Sequence, residues 1–300
     1  MSFWTDLLGL EFEVKYVDVK GIKTRAMKAG CGEPVIFLHG ISGHLEAFIS
    51  SVPGHSGDFE CHLIDMLGCG YTDKPQGKYT VERLARHVLD YMDVMGLEKA
   101  NLCGISLGGW VVGWIAAKYP ERVKRVTMVL AAGTPAMATS EIAEMIRQST
   151  TAAVTNLDIE DTRKRLLKVI YDPKQVTQEL VEVRYTIYHH PEFQAALDNI
   201  LAPTEPELYR QAMLSEKLLA DVQAEVLLVW SDKDAYTDLT GAQHFVNNIP
   251  KHKLVTFENT GHWPPYERSA DFACLNVGFL KGGLTTVRAG NYDANPEGRK

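Results

Sequence analysis

Short apolar segments alternate with amphipathic patterns along most of the chain. Residues 15–29 alternate around Gly21, which predicts a hairpin. The segments with strand character that follow are 34–38, 61–64, 101–105, 126–131, 225–230 and 253–257. Helical periodicity covers 81–95 before Gly96, 107–119 before Pro120, and 271–280. Strands and helices in alternation favour an α/β fold, with a mostly parallel sheet and helices on both faces.

The alternation stops between residues 134 and 219. This segment has helical patterns, several prolines and few strand signals, so it predicts a helical insertion between two core strands. The predicted organisation is a core of residues 1–133 and 220–281, a helical cap of 134–219 and a C-terminal tail of 282–300. The tail is glycine-rich and polar, and we expect it to be poorly ordered.

Composition narrows the classes of protein. A chain of 300 residues with 45% apolar residues suits one large domain with an insertion. The net charge of −7 argues against nucleic acid or an anionic membrane as partner, which leaves a small-molecule substrate. The first residues lack a signal-peptide pattern, and no run approaches the roughly 18 apolar residues of a membrane span. We therefore expect a cytoplasmic protein; a homo-oligomer stays open.

The five cysteines fit a reducing compartment. Their number is odd and they form no metal-type pair. Three of them, Cys61, Cys103 and Cys274, occur in apolar runs and are predicted to be small core residues. The adjacent His189 and His190 cannot easily face one ion from a helix. No metal site and no cofactor are therefore predicted.

One motif carries nucleophile chemistry. Gly104-Ile105-Ser106-Leu107-Gly108 follows a predicted strand and opens a predicted helix, the context of a nucleophile elbow. In so tight a turn, side chains two residues before and two after the serine would clash. Ser106 would stand at a helix N-terminus, where the dipole favours developing negative charge. The backbone N–H groups of Leu107 and Ile41 would form the oxyanion hole.

The base and the acid follow later in the chain. His262 lies in a loop after the last predicted core strand, and its order after serine and aspartate suits this architecture. Two carboxylates follow the strand that ends at Trp230: Asp232 and Asp234. Asp234, expected about three residues past the residue that closes the strand, is the predicted acid, while Asp232 is the alternative and otherwise a solvated turn residue. A buried carboxylate would fix the imidazole tautomer.

Together these motifs resemble the α/β-hydrolase superfamily over roughly residues 17–280. Within it, residues 65–75, the segment Gly261-His262-Trp263 and residues 171–185 are most similar to the meta-cleavage-product hydrolases, which cleave a C–C bond in ring-opened aromatics. The resemblance implies that Arg184 on a cap helix binds the acidic end of the substrate. It also implies that Trp263 lies in the active site. From the residues alone, a solvated helix face is the alternative explanation for Arg184, and packing under the cap is the alternative for Trp263.

The sequence also departs from that family. Ile105 precedes the nucleophile where the family commonly has asparagine, and residues 41–48 contain no asparagine. Two of the three polar groups that would hold a 2-hydroxy-dienoate head are therefore missing. The leading hypothesis is a C–C hydrolase of a ring-opened aromatic. A carboxylesterase or lactonase on a small apolar ester is the alternative, and a ligand-sensing protein with a hydrolase fold is a second one.

Overall fold

A central sheet organises the protein. The computed structural model describes residues 2–135 and 140–292, and in this part of the chain the sheet has nine strands in the order β1-β2-β4-β3-β5-β6-β7-β8-β9. The strands are β1 (Phe12–Val19), β2 (Ile22–Ala29), β3 (Glu33–Leu38), β4 (Phe59–Ile64), β5 (Ala100–Ile105), β6 (Val123–Val129), β7 (Glu225–Ser231), β8 (His252–Phe257) and β9 (Gly290–Tyr292). The pairings β1–β2 and β2–β4 are antiparallel and the others are parallel. The prediction of a mostly parallel α/β sheet is confirmed.

Helices connect these strands. Those between core strands or after them are α1 (Val52–His55), α2 (Val81–Val94), α3 (Leu107–Lys118), α11 (Leu239–Asn248), α12 (Pro264–Glu267) and α13 (Ser269–Gly282). Those between β6 and β7 are α4 (Ser140–Thr155), α5 (Ile159–Val169), α6 (Gln178–Tyr188), α7 (Pro191–Ala195), α8 (Leu197–Ile200), α9 (Pro206–Ala212) and α10 (Glu216–Ala220). Among the residues described, none of the helices combines the length and apolar character needed to cross a bilayer.

Sequence chemistry explains the core elements. All six residues of β5 are buried, as expected for a strand covered by helices on both sheet faces. Helix α2 begins where the Thr80 side chain caps the Arg83 amide, at 3.3 Å. It is followed by Gly96 at a φ of 70°, a left-handed conformation that glycine adopts without steric cost.

The structure corrects one prediction from the sequence and limits a second one to the end of the tail. Cys274 is exposed, because the buried stripe of α13 runs through Phe272, Leu275 and Phe279 and leaves Cys274 off it. The tail is not irregular from residue 282 onward: β9 extends the sheet beside β8, and Tyr292 stacks on Phe257 at 5.0 Å. The rest of the tail, 293–300, lies outside the described residues, as do 136–139 of the predicted cap.

Candidate active site

The turn between β5 and α3 holds Ser106 in a strained conformation. Its φ of 54° and ψ of −115° are rare for a residue with a side chain and cost on the order of 1–3 kcal/mol. A Cβ on Gly104 would lie 2.2 Å from the Gly108 carbonyl oxygen, and one on Gly108 would lie 2.1 Å from the Leu38 carbonyl oxygen. The turn therefore needs both glycines, and the second is required by β3 rather than by the turn itself.

Ile41 and Leu107 both line the cavity that contains Ser106. Leu107 is the first residue of α3, where backbone N–H groups have no partner within the helix. The loop after β3, which carries Gly40 and Ile41, passes so close that a Cβ on Gly40 would lie 3.3 Å from the Ser106 Cβ. The two predicted oxyanion-hole residues thus line the same cavity as the serine.

His39 fixes the shape of the second loop. Its Nδ1 donates to the Gly40 carbonyl at 2.7 Å, and its Nε2 accepts from the Met66 amide at 3.0 Å. Burial lowers the pKa of His39 to about 3, although its hydrogen bond to Gly40 acts in the opposite direction. The ring is therefore neutral and fully engaged with backbone, which is a structural role.

The structure brings Asp234 to the imidazole of His262. The Nδ1 of His262 lies 2.9 and 3.0 Å from the two Asp234 carboxylate oxygens, and the Asp234 side chain is entirely shielded from solvent. The alternative acid, Asp232, is exposed and pairs with Lys233 at 3.0 Å. An imidazole that donates from Nδ1 keeps Nε2 as its acceptor. His262 and Ser106 line the same cavity.

Glu267 holds the loop that carries the imidazole. Its carboxylate accepts the backbone N–H groups of Gly261 at 3.0 Å, Trp263 at 3.0 Å and Tyr171 at 2.8 Å. Burial raises the pKa of this carboxyl, and those hydrogen bonds partly oppose the rise. Sequence reasoning missed Glu267; its place four residues after Trp263 in a Pro-Pro-Tyr-Glu turn was the available signal.

The same loop is attached to the helical segment. The backbone N–H of His262 donates to the carbonyl of Val169, the last residue of α5, at 2.7 Å. A Cβ on Gly261 would lie 2.7 Å from that carbonyl oxygen and 2.8 Å from the Tyr171 nitrogen. Glycine at 261 therefore permits a close approach between the loop and the chain after α5.

Helices of the inserted segment share a cavity with Ser106. The residues that line this cavity with charged groups, hydroxyl groups of serine or threonine, or imidazole are Ser106, His262, Arg165, Arg184 and Thr204. Its aliphatic and aromatic side chains are Ile41, Ala47, Ile105, Leu107, Trp110, Ala132, Ile142, Ala143, Ile146, Val169, Pro203, Tyr209, Tyr236 and Trp263. Such a mostly apolar cavity with a few polar groups is typical of small-molecule sites. No group of three metal-ligating side chains occurs in residues 2–135 and 140–292.

Arg184 points into this cavity from α6. The residue is 7% exposed, which rules out the solvated helix face that its sequence neighbourhood also allowed. The guanidinium lies over the ring of Trp263, with 5.4 Å between its central carbon and the ring centroid. Trp263 is itself buried and packs on Tyr266 at 5.3 Å. Trp263 thus packs under the helices and also lines the cavity beside Arg184.

Three polar residues that the sequence analysis missed meet beside Arg184. The phenol oxygen of Tyr188 accepts from Arg184 Nη1 at 3.2 Å and from Arg165 Nε at 3.3 Å, and it lies 3.0 Å from the Ser42 hydroxyl. Burial alone would raise the pKa of Tyr188, but the two guanidinium charges and the hydrogen bonds outweigh it and lower the pKa to about 8. Tyr188 stands four residues after Arg184 on one helix face, a spacing that the sequence did show.

Comparisons with known proteins find relatives that match most of the chain. A 2-hydroxymuconate semialdehyde hydrolase from Pseudomonas putida is 28% identical over 87% of this chain and 91% of its own length. A meta-cleavage product hydrolase structure from Pseudomonas fluorescens superposes with a TM-score of 0.80 at 26% identity, over 90% of this chain and 97% of that one. A monoacylglycerol lipase from Bos taurus is 24% identical over 93% of this chain and 84% of its own.

The family model covers the core and the inserted helices together. The model for the alpha/beta hydrolase fold matches residues 33–269, which include the elbow serine, both candidate carboxylates and the histidine loop. The match therefore spans well over half of the chain and every element that lines the cavity. The chain belongs to the alpha/beta hydrolase fold family.

Proposed function

We propose that the protein is a serine hydrolase in which Ser106 is the nucleophile, His262 the general base and Asp234 the residue that orients and stabilises the imidazolium. His262 takes the Ser106 proton as the oxygen attacks a substrate carbonyl. The backbone N–H groups of Ile41 and Leu107 stabilise the developing oxyanion. The resulting acyl-enzyme is released by water that His262 activates.

The proposed substrate is a ring-opened aromatic, similar to a meta-cleavage product, in which a C–C bond beside a ketone is cleaved. The observation that carries this proposal is Arg184, a buried cation in the cavity of Ser106. A guanidinium stays charged and can grip both oxygens of a carboxylate. When the C–C bond breaks, its electron pair passes into the conjugated acid fragment, which takes the proton of the His262 imidazolium on carbon; neutral His262 can then act as base toward water. Two Pseudomonas putida relatives are named for such substrates: 2-hydroxymuconate semialdehyde and 2-hydroxy-6-oxo-2,4-heptadienoate.

A carboxylesterase or lactonase is the second candidate, and Ile105 favours it. This side chain lines the cavity next to the nucleophile and offers no hydrogen bond to a 2-hydroxyl group. An apolar ester would fill the aliphatic part of the cavity without needing Arg184. The similarity to a monoacylglycerol lipase shows that ester hydrolysis occurs among the relatives.

A substrate screen separates the two candidates. Purified protein is offered 2-hydroxy-6-oxo-2,4-heptadienoate, whose visible absorbance disappears on cleavage, and p-nitrophenyl esters of graded chain length. A kcat/KM at least about tenfold higher for the dienone supports C–C hydrolysis. The reverse ranking supports the esterase. Turnover of neither class would favour the ligand-sensing protein.

Removing the Arg184 charge should affect acidic substrates only. Arg184→Met should lower kcat/KM for the dienone roughly 30- to 150-fold, because a charge-assisted hydrogen bond contributes about 2–3 kcal/mol. The p-nitrophenyl ester should change less than about threefold. Arg163→Met is the matched control, since Arg163 lies partly exposed on α5 and pairs with Glu160. Equal losses on both substrates would assign Arg184 a purely structural role.

Ionisation of Tyr188 should weaken the binding of acids. Its phenolate would lie between Arg184 and Arg165 and compete with an anionic ligand for the same donors. Because the pKa of Tyr188 is lowered to about 8, the affinity for benzoate should be constant below that pH and should fall above it. The fall approaches about tenfold per pH unit if ionisation and binding exclude each other. Calorimetric titrations of wild type and Tyr188→Phe test this, and a fall that persists in Tyr188→Phe would contradict it.

The cellular setting and the inserted helices complete the proposal. Free cysteines, three buried and two exposed, are compatible with a reducing cytoplasm. The helices of residues 134–219 would act as a cap that shields the reaction from water. The partner would be a small molecule rather than a nucleic acid or a membrane, and no cofactor enters the reaction.

A further inference from the structure

Two buried arginines share one wall of the cavity. Arg165 and Arg184 are each 7% exposed and both line the space that contains Ser106. In the described part of the chain, neither has a carboxylate within ion-pair distance. Their hydrogen bonds go to neutral oxygens instead: Arg165 to Ser149, Ser42 and Tyr188, and Arg184 to Tyr188. The wall therefore carries two positive charges that no described residue around them neutralises.

Both guanidinium groups donate a hydrogen bond to the phenol oxygen of Tyr188. Arg165 Nε lies 3.3 Å and Arg184 Nη1 lies 3.2 Å from the same Tyr188 oxygen, so the two nitrogens are no farther apart than one small head group can reach. Like charges repel strongly where water is excluded. A neutral phenol oxygen satisfies part of each guanidinium but supplies no countercharge. An anion in the cavity would supply it.

An unpaired polar atom points to the same missing ligand. The Nε of Arg184 is buried and has no hydrogen-bond partner among the described residues, and the buried Tyr236 hydroxyl interacts with Arg165. Both residues line the cavity, and Tyr236 lies against His262 at 5.2 Å between ring centroids. Buried polar atoms in native proteins are nearly always paired, so an acceptor-rich group is the natural partner here.

We infer that Arg165 is a second anion-recognition residue, and that the cavity selects substrates whose acidic head carries two ionised groups. Two carboxylates, or a carboxylate beside an enolate, would give each guanidinium its own countercharge. Arg165 would then bind a polar group of the substrate head, which the apolar side chain of Ile105 cannot do. Ser42 ties this position to the loop that holds Ile41, because the Arg165 Nη2 lies 3.4 Å from its hydroxyl. The inference rests on the proposed function only in taking this cavity as the substrate site.

Calorimetry with two matched acids tests the inference without requiring turnover. Benzoate carries one carboxylate, and phthalate carries a second on the neighbouring ring carbon. At about pH 7, below the Tyr188 pKa of about 8, wild type should bind phthalate at least about tenfold more tightly than benzoate. Arg165→Met should remove that preference, because it should lower the phthalate affinity far more than the benzoate affinity. Arg165→Lys should retain part of the preference, and Arg163→Met all of it.

The outcomes are distinct. Equal affinities of wild type for the two acids, binding of neither, or equal losses of both in Arg165→Met would overturn the inference. Thermal unfolding checks that each variant is folded; if Arg165→Met is not, Arg165→Gln removes the charge and keeps a hydrogen-bond donor. A protein that prefers phthalate through Arg165 but hydrolyses neither substrate class would uphold this inference and refute the proposed function. A dienone hydrolase without that preference would do the opposite.

Discussion

Ser106→Ala should lower kcat on any substrate that the protein turns over by about 10⁴-fold or more. The reason is geometric: the elbow holds Ser106 in a strained backbone conformation between a strand and a helix, in the cavity that Ile41 and Leu107 also line. Without the hydroxyl no acyl-enzyme forms, and only binding and oxyanion stabilisation contribute to the rate. Steady-state kinetics on the best substrate from the screen measures the loss.

Two controls make the result interpretable. Ser215→Ala removes a serine that caps α10 outside the cavity. It should lower the free energy of unfolding by about 1 kcal/mol and leave kcat unchanged. Ser106→Ala should also keep the melting temperature of wild type or exceed it, since alanine removes no buried contact that the fold requires. A folded Ser106→Ala protein with more than about a tenth of wild-type activity would show that another group is the nucleophile.

The second large effect is expected at the acid. Asp234→Asn should lower kcat by about 10⁴-fold, because an amide can stabilise the wrong imidazole tautomer and cannot stabilise the imidazolium. Asp232→Asn is its natural control: that carboxylate follows the same strand, yet it is exposed and pairs with Lys233. It should stay within about threefold of wild type.

Kinetics of the two variants, measured side by side, decide the assignment. If Asp232→Asn lost more activity than Asp234→Asn, the acid would be Asp232, and the loop after β7 would have to rearrange during the reaction. If both variants kept wild-type rates, the hydrogen bond at His262 would have no part in catalysis.

Local chemistry explains what could be predicted from the sequence. The elbow can be predicted from the sequence because neighbouring backbone atoms lie so close to residues 104 and 108 that only glycine fits there. The contact between Asp234 and His262 follows from chain order, since parallel strands deliver their carboxyl ends to one edge of the sheet. Those signals depend on nearest neighbours in sequence or on a regular topology.

The cluster of Arg165, Arg184, Tyr188 and Ser42 gave no such signal in the sequence. Ser42 and Tyr188 are separated by 146 residues, and Arg165 and Ser42 by 123. No periodicity connects a loop after β3 with two inserted helices, so only the packed structure shows that they meet. The edge strand β9 was missed for a related reason: Gly290–Tyr292 is too short and polar to register as a strand, and it forms only because β8 offers free backbone groups.

The attachment of the histidine loop to Val169 limits how this protein can be re-engineered. Chimeras that exchange the inserted helices with those of a relative are an obvious way to alter substrate preference. Here the backbone amide of His262 is anchored to the end of α5, and Glu267 anchors the neighbouring Tyr171. A graft that moves the α5 terminus by the width of a hydrogen bond would tilt the His262 imidazole even with Ser106, Asp234 and His262 unchanged. A graft whose exchange points both lie within α4 would leave α5, and with it the hydrogen bond between His262 and Val169, unchanged.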